Sequence, residues 1–223
     1  MITVPIYDMI LLPGVSFYFK KEVYDKWHEE GQEPEKRVMF LLMRNQKNPE
    51  QISDKDFFPL GFVAEVVDTD EEGLIQLVIK DRVNVSDIEE HDGRFSATAS
   101  IRPDTDSLSE GERTEQFLRM HRDYLQFIQG FQWGIFVKST VQNWKSINEM
   151  LCSSAGYMNL SWDEKYAIMA EDSEHRRSRM IEDAIYEFIA AVKVAEEAQG
   201  AQQEGHEKAY REQALKKQIS YLQ

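Results

Sequence analysis

The stretch "FPLGFVAEVVDTDEEGLIQLVIKDRVNVSDIEE", residues 58 to 90, decides how the first half of the chain is read. Val63, Glu65 and Val67 alternate with Ala64 and Val66, the period of two that places successive side chains on opposite faces of a strand. The segment Asp68 to Gly73 is acidic, ends in glycine and reads as a loop. Leu74 to Ile79 then returns, and "RVNVSDI" goes on as a further strand. A hairpin of this kind is stable only within a larger sheet, so its partners must lie nearby.

Those partners are present on both sides. "TVPIYDMILL" reads as a strand ending at the turn pair Pro13-Gly14, and "VSFYFK" resumes in extended style. In that second run Val15, Phe17 and Phe19 share one face, while Ser16, Tyr18 and Lys20 share the other. "KEVYDKWHEE" reads as a polar helix ending at Gly31, with Pro34 beyond. "RVMFLLMRN" is a buried strand by its continuous apolar run, and "RFSATASIRP" is the last β run before Pro103. Six or seven short strands around one small helix predict a closed or partly closed β-barrel.

Near residue 105 the character changes to helix. Ser107 and Ser109 each have a glutamate three residues on, two overlapping capping boxes that mark a helix start. "FLRMHRDYLQFI" follows and ends near Gly130; a second helix spans "FVKSTVQNWKSINEMLC". Ser161 with Glu164 opens the short helix "WDEKYAIMAE". In "EHRRSRMIEDAIYEFIAAVKVAEEAQ" the residues Ile181, Ile185, Phe188, Val192 and Ala195 step four, three, four, three, a coiled-coil-like seam. Gly200 and Gly205 bracket a polar interruption before a last helix, "AYREQALKKQISYLQ", which carries no stop signal. The chain therefore divides into a β-rich part, 1–105, a helical part, 106–200, and the start of a helical linker, 201–223. The fold class is α+β.

Composition narrows the functions. The 223 residues are 42% hydrophobic and 11% aromatic, enough for a core. Forty acidic against 26 basic residues give a net charge of −14, which disfavours nucleic acid and anionic membrane as partners. One cysteine, Cys152, excludes an internal disulfide and reads as a small buried thiol. No segment approaches the ~20 apolar residues of a membrane span, and "MITVPIYDMILLPG" lacks the pattern of a signal peptide; the expected compartment is the cytoplasm. No glycine precedes a lysine, so the Walker phosphate loop is missing, and no G-x-S-x-G elbow occurs. "HEEGQ" at His28 lacks the second histidine of a zinc-protease helix. "EEHD" at Glu89 to Asp92 reads as a solvated loop rather than a metal cluster. The chain itself is expected to have no catalytic residue and to need no cofactor or metal.

Several of these segments share a likeness. "VPIYDMILLPG" resembles the opening strand of the N-terminal domain of the Lon protease (protease La) family, "L-P-L-R-D-x-V-x-F-P-G", with Tyr7 where that family has Arg. "PLGFVAEVVD" is similar to its "G-x-V-A-x-I" strand, and "LIQLVIKDRVNV" to the next strand, which carries an Arg inside it. "LSWDEKYAIMAEDSEHRRSRMIEDAIYEFI" resembles its "L-x-x-E-D-K-Q-x-I-L-E" helix, turn and "R-L-x-x-L-x-x-x-L" helix. "AYREQALKKQISYLQ" is similar to "R-E-Y-x-L-R-E-Q-L-K-A-I-Q-K-E-L-G". The aromatic segment Gly130 to Lys145 does not align.

The resemblance implies a PUA-like β-barrel or sheet domain followed by a helical bundle and a long helix. It also implies further domains of an ATP-dependent serine endopeptidase, an AAA+ ATPase using ATP and Mg and a Ser–Lys peptidase, of which this chain has neither. The implied role is recognition of unfolded or damaged polypeptides, with self-association into a ring. A free-standing adaptor without ATPase is the alternative, and an RNA-binding β module is disfavoured by charge. Recognition of unfolded chains requires accessible apolar side chains. Candidates are Phe57 and Phe58, which cannot both point inward from an extended segment, then Phe17, Tyr18 and Phe19, and further Phe131, Trp133, Phe136 and Trp144. Core packing is the competing reading for each. Ile181, Ile185, Phe188 and Val192 are expected to pack on neighbouring helices or on another subunit.

Overall fold

The computed structural model describes residues 1–25, 36–48, 51–69, 74–91 and 94–221, with the side chains of 23 and 199–221 excepted. Residues 1–182 form one compact unit and 183–223 a second.

The first unit begins with six strands: β1 (Ile2–Ile6), β2 (Ser16–Lys20), β3 (Arg37–Met43), β4 (Phe57–Thr69), β5 (Leu74–His91) and β6 (Arg94–Ile101). They form one sheet in the order β1-β3-β4-β5, with β2 and β6 both pairing with β5. β1 runs parallel to β3; every other ladder is antiparallel. The expected hairpin of alternating residues is thus β4 and β5, but the return is a single strand of 18 residues. Its first half pairs with β2 and its second with β6. Register shifts at Val63/Ala64, Val66/Asp68 and Ser86/Glu89 let so long a pair bend. β6 comes round beside β1 with no ladder between them among the described residues, which makes a partly closed barrel. Gly61 sits where a Cβ would lie 2.8 Å from Phe40 O and 2.7 Å from Val85 Cγ2. Only glycine lets the strands meet that closely.

Both faces of β3 and β4 are covered. On one, Met39, Leu41, Met43, Phe57, Val63, Val83, Val85 and Phe95 form a core cluster. On the other, Phe40, Leu60 and Phe62 are fully buried. This explains the continuous apolar run of β3. The first strand is shorter than expected: β1 ends at Ile6, Asp8 takes a left-handed φ of 57°, and Ile10 to Leu12 are buried without being strand. Gly14, φ 84°, makes the turn that follows. Glu89, Glu90 and His91 end strand β5 rather than sitting in a loop, and all three are exposed. Of the polar helix, α1 (Lys21–Asp25) is described; its expected end at Gly31 and Pro34 lies outside the described residues. Of the loop expected from Asp68 to Gly73, Asp68 and Thr69 instead end β4, and residues 70–73 lie outside the described residues.

Helices follow the sheet: α2 (Glu110–Gln129), α3 (Gly134–Gln142), α4 (Ile147–Ser154), α5 (Trp162–Ala170) and α6 (Glu174–Tyr221). Ser109 caps α2, accepting from Glu112 N while its own N–H donates to Glu112 Oε2 at 2.8 Å. Ser161 and Glu164 make the same box on α5. Of the overlapping boxes the second is the one used. The expected helix "FVKSTVQNWKSINEMLC" is two helices, because Ser146 accepts from Glu149 N and starts α4 afresh. Gly200 and Gly205 do not interrupt α6, whose backbone runs unbroken through 48 residues. Glycine costs a helix only about 1 kcal/mol, which a long helix absorbs.

A buried ionic cluster fixes the turn between α5 and α6. Arg82 of β5 is 3% exposed. It donates to Met169 O at 3.0 Å, Glu171 O at 2.7 Å and Asp172 Oδ1 at 2.7 Å, and pairs with Asp104 at 3.0 Å. Arg102 grips both oxygens of Asp172, and Arg177 both oxygens of Asp104. Lys165 of α5, 7% exposed, reaches Asp8 Oδ1 at 2.8 Å. Arg82 thus ties the α5–α6 turn to β5, Lys165 ties α5 to the segment after β1, and Trp162 Nε1 donates to Met43 O of β3 at 2.8 Å.

In the seam along α6, Ile181 is buried. In the second unit Ile185 and Ile189 are buried, Phe188 and Val192 are half-buried, and Val194 is exposed.

Candidate functional site: an aromatic surface at the start of α3

The turn from α2 into α3 is unusually tight. A Cβ on Gly134 would lie 1.8 Å from Ile128 O, so α3 can begin against the last turn of α2 only because residue 134 is glycine. That approach forces the two residues after it outward: Ile135 is 75% exposed and Phe136 82%. Trp133, 37% exposed, completes the apolar surface.

Rigid rings support this surface. Trp133 stacks on Phe131 with centroids 5.1 Å apart and planes 17° from parallel. Phe131 and Trp133 each meet Phe127 edge-on, at 5.0 and 6.0 Å. Phe127 in turn meets Tyr124, which packs edge-on against Trp144 at 5.0 Å. Burial raises the pKa of the Tyr124 phenol, and its hydroxyl is paired with Ser154 Oγ at 3.1 Å. His121 Nε2 lies 2.7 Å from Val141 O and so carries the proton that ties α2 to α3. Of the four aromatic candidates in this segment, Phe136 and Trp133 are accessible, and Phe131 and Trp144 serve as their backing.

The candidates on the sheet fall differently. Tyr18 is 62% exposed on β2, whereas Phe17 and Phe19 are half-buried and Phe19 stacks on Phe40. Phe57 and Phe58 point to opposite faces, as expected; Phe57 is buried and Phe58 half-buried. Phe57 is in the core cluster against Phe95, centroids 5.3 Å apart. Phe58 lies flat on Tyr166 at 3.7 Å, edge-on to Trp162, with the Arg44 guanidinium 4.5 Å from its ring centre. The reason is that α5 covers the outer face of β4. The rims of both rings border a shallow cavity of about 440 Å³ with Arg44, Pro59 and Asp87.

A second cavity, about 400 Å³, lies among α2, α4 and the start of α6, with Leu118 at its edge. Leu118 is 57% exposed and Tyr157 80%. Sequence reasoning passed over Ile135, Leu118 and Tyr157. For Ile135 the usable signal was an adjacent apolar pair just after a glycine, off any helical seam. Burial pushes the Cys152 thiol pKa up, which favours the neutral thiol over the thiolate. Among the described residues no group of acidic, histidine or cysteine side chains could hold a metal ion, and no helix is long and apolar enough to cross a membrane.

With the sheet first and the helices after, and with exposed apolar side chains at the start of α3, this is an α+β fold. No family model matches the chain. In sequence it is 22% identical to the Lon protease of Clostridium beijerinckii, over 99% of this chain and 28% of that protein. In structure it is similar to the N-terminal domain of a Mycobacterium avium complex Lon protease, with a TM-score of 0.51 and 11% identity, covering 83% of this chain and 97% of that one. The Lon N-terminal domain protein of Xanthomonas campestris superposes with a TM-score of 0.39 at 15% identity, covering 81% and 95%. The chain thus has sequence similarity to Lon protease along its whole length and the fold of a Lon N-terminal domain, and it spans about 28% of the length of its curated relative.

Proposed function

We propose that this chain is the substrate-engaging region of a Lon-type ATP-dependent protease. It captures unfolded or damaged polypeptides and passes them to ATPase and peptidase domains that bind ATP and Mg. Self-association into a ring would place several copies of the surface around one entrance. The observation that carries the reading is the exposed set Trp133, Ile135 and Phe136 on its ring platform; the similarity to Lon proteins supports it. Apolar side chains held in water are what distinguish a binder of unfolded chains from an ordinary surface.

Magnitudes fit a carrier that must let go. The three side chains leave roughly 350 Å² accessible, taking 150–250 Å² for each large ring. At about 25 cal/mol/Å², covering it contributes at most about 9 kcal/mol. Association costs about 4–15 kcal/mol, so one surface alone binds weakly and releases readily. Binding of a labelled, reduced and carboxymethylated protein, followed by fluorescence anisotropy, tests the reading. Ile135→Ser with Phe136→Ser should weaken binding about tenfold or more while leaving the melting temperature unchanged. Undiminished affinity in that folded variant would refute the assignment.

A further inference from the structure

The surroundings of this surface differ in charge from the rest of the molecule. Residues 124–148, which form the end of α2, all of α3 and the start of α4, contain no aspartate or glutamate, in a chain that has 40 of them. Their only charges are Lys138 and Lys145, both exposed. Lys138 stands three residues after Ile135 on α3 and so lies on the same face, one turn along. α2 and α3 pack on each other with His121 against Val141. The apolar end of α3 therefore faces the acid-free end of α2, and Asp123, the last carboxylate of that helix, lies beyond it.

Taking the α3 surface as the polypeptide-binding site proposed above, we infer that it selects short apolar segments flanked by carboxylates and rejects the same segments flanked by lysine or arginine. Area argues for a short segment over a second copy of the chain: roughly 350 Å² is well below the ~800 Å² per partner of a stable dimer. Charge argues for the acidic flank. At physiological salt the Debye length is about 8 Å, so the distant acidic surface is largely screened and the nearby Lys138 decides. Lys145 lies past the other end of α3, bordering a cavity with Glu110 and Glu174, so an acidic flank gains Lys138 and a basic flank is opposed by it. Selection of this kind would direct the chain away from the basic unfolded segments that a net charge of −14 otherwise attracts.

The test uses three labelled peptides sharing one apolar, aromatic-containing core and differing only in flanks: Asp/Glu, Ser/Gly or Lys/Arg. Affinities are measured by anisotropy at 150 mM salt with the full chain. The acid-flanked peptide should bind about fivefold more tightly than the basic one, with the neutral peptide between them, from one weak exposed pair gained or opposed. Lys138→Glu should reduce or reverse that order and leave neutral binding intact; Ile135→Ser with Phe136→Ser should abolish all three. Equal affinities, or tighter binding of the basic peptide, would overturn the inference while the polypeptide-binding reading stands. Failure of even the neutral peptide to bind would overturn both. Concentration-dependent self-association that disappears in the Ile135/Phe136 variant would assign the surface to a second copy and likewise overturn it.

Discussion

Replacing Asp172 by alanine should destabilise the sheet-to-helix junction more than removing the arginine it holds. Arg82 is a buried cation whose pKa is lowered first by burial and then by the like charge of Arg177; its bond to Asp172 acts the other way. It is tolerated there because carboxylates face it. Asp172→Ala takes away the 2.7 Å partner of Arg82 and both bonds from Arg102, leaving Arg82 with Asp104 as its remaining anion. Breaking a buried pair from one side costs about 3–5 kcal/mol, and the surviving Asp104 places this case near 3. Arg82→Met removes the desolvated charge and fills its space. Asp172 keeps Arg102, Asp104 keeps Arg177, and Glu171 O keeps the donor Arg177 Nη1. Met169 O alone loses its side-chain donor, a cost of about 1–2 kcal/mol. Urea unfolding followed by tryptophan fluorescence should therefore rank wild type, then Arg82→Met, then Asp172→Ala, with similar denaturant slopes. The reverse order, or an Asp172→Ala variant within 0.5 kcal/mol of wild type, would refute the reasoning.

Acid should weaken the same junction. Asp106 is held at about 2 instead of 3.8, chiefly by the Ser173 hydroxyl, and Asp56 at about 2, chiefly by Lys47; Asp172 is lowered chiefly by Arg102. Depressed carboxylate pKa values give stability that is complete above the unfolded value and lost as pH falls through the folded one, so urea midpoints should decline from pH about 4 to 2 and be flat above about 5. Asp106→Asn should flatten part of that decline. Ser109→Ala should cost about 1 kcal/mol as a lost cap and Ser107→Ala almost nothing, a contrast measurable by thermal melts. Gly134→Ala, which drives a methyl into Ile128 O, should cost about 2 kcal/mol or more and red-shift the emission of Trp133 and Trp144 as α3 leaves α2.

What the sequence made legible was local. Alternation along 63–67 and 74–79 gave the β4–β5 pair, and S-x-x-E spacing gave the starts of α2 and α5, because strand period and helix caps are encoded within a few residues. The same logic applied to Ser146 and Glu149 would have split α3 from α4. Coverage by distant elements was not legible. Phe57 and Phe58 alternate as expected, yet whether the outer face of β4 is open depends on α5, a hundred residues later. The exposure of Ile135 and Phe136 follows from one glycine pressed on a carbonyl of another helix, a contact that periodicity does not contain. The ionic cluster around Arg82 was visible only as an arginine out of place in an apolar strand.

A photo-crosslinking amino acid placed at position 136, and separately at position 58, tests the central claim most directly. With an unfolded, labelled polypeptide in solution, the account predicts strong crosslinks from 136 on the open α3 surface and few from 58 beneath α5. Crosslinks from 58 with none from 136 would contradict it and move the binding surface to the sheet.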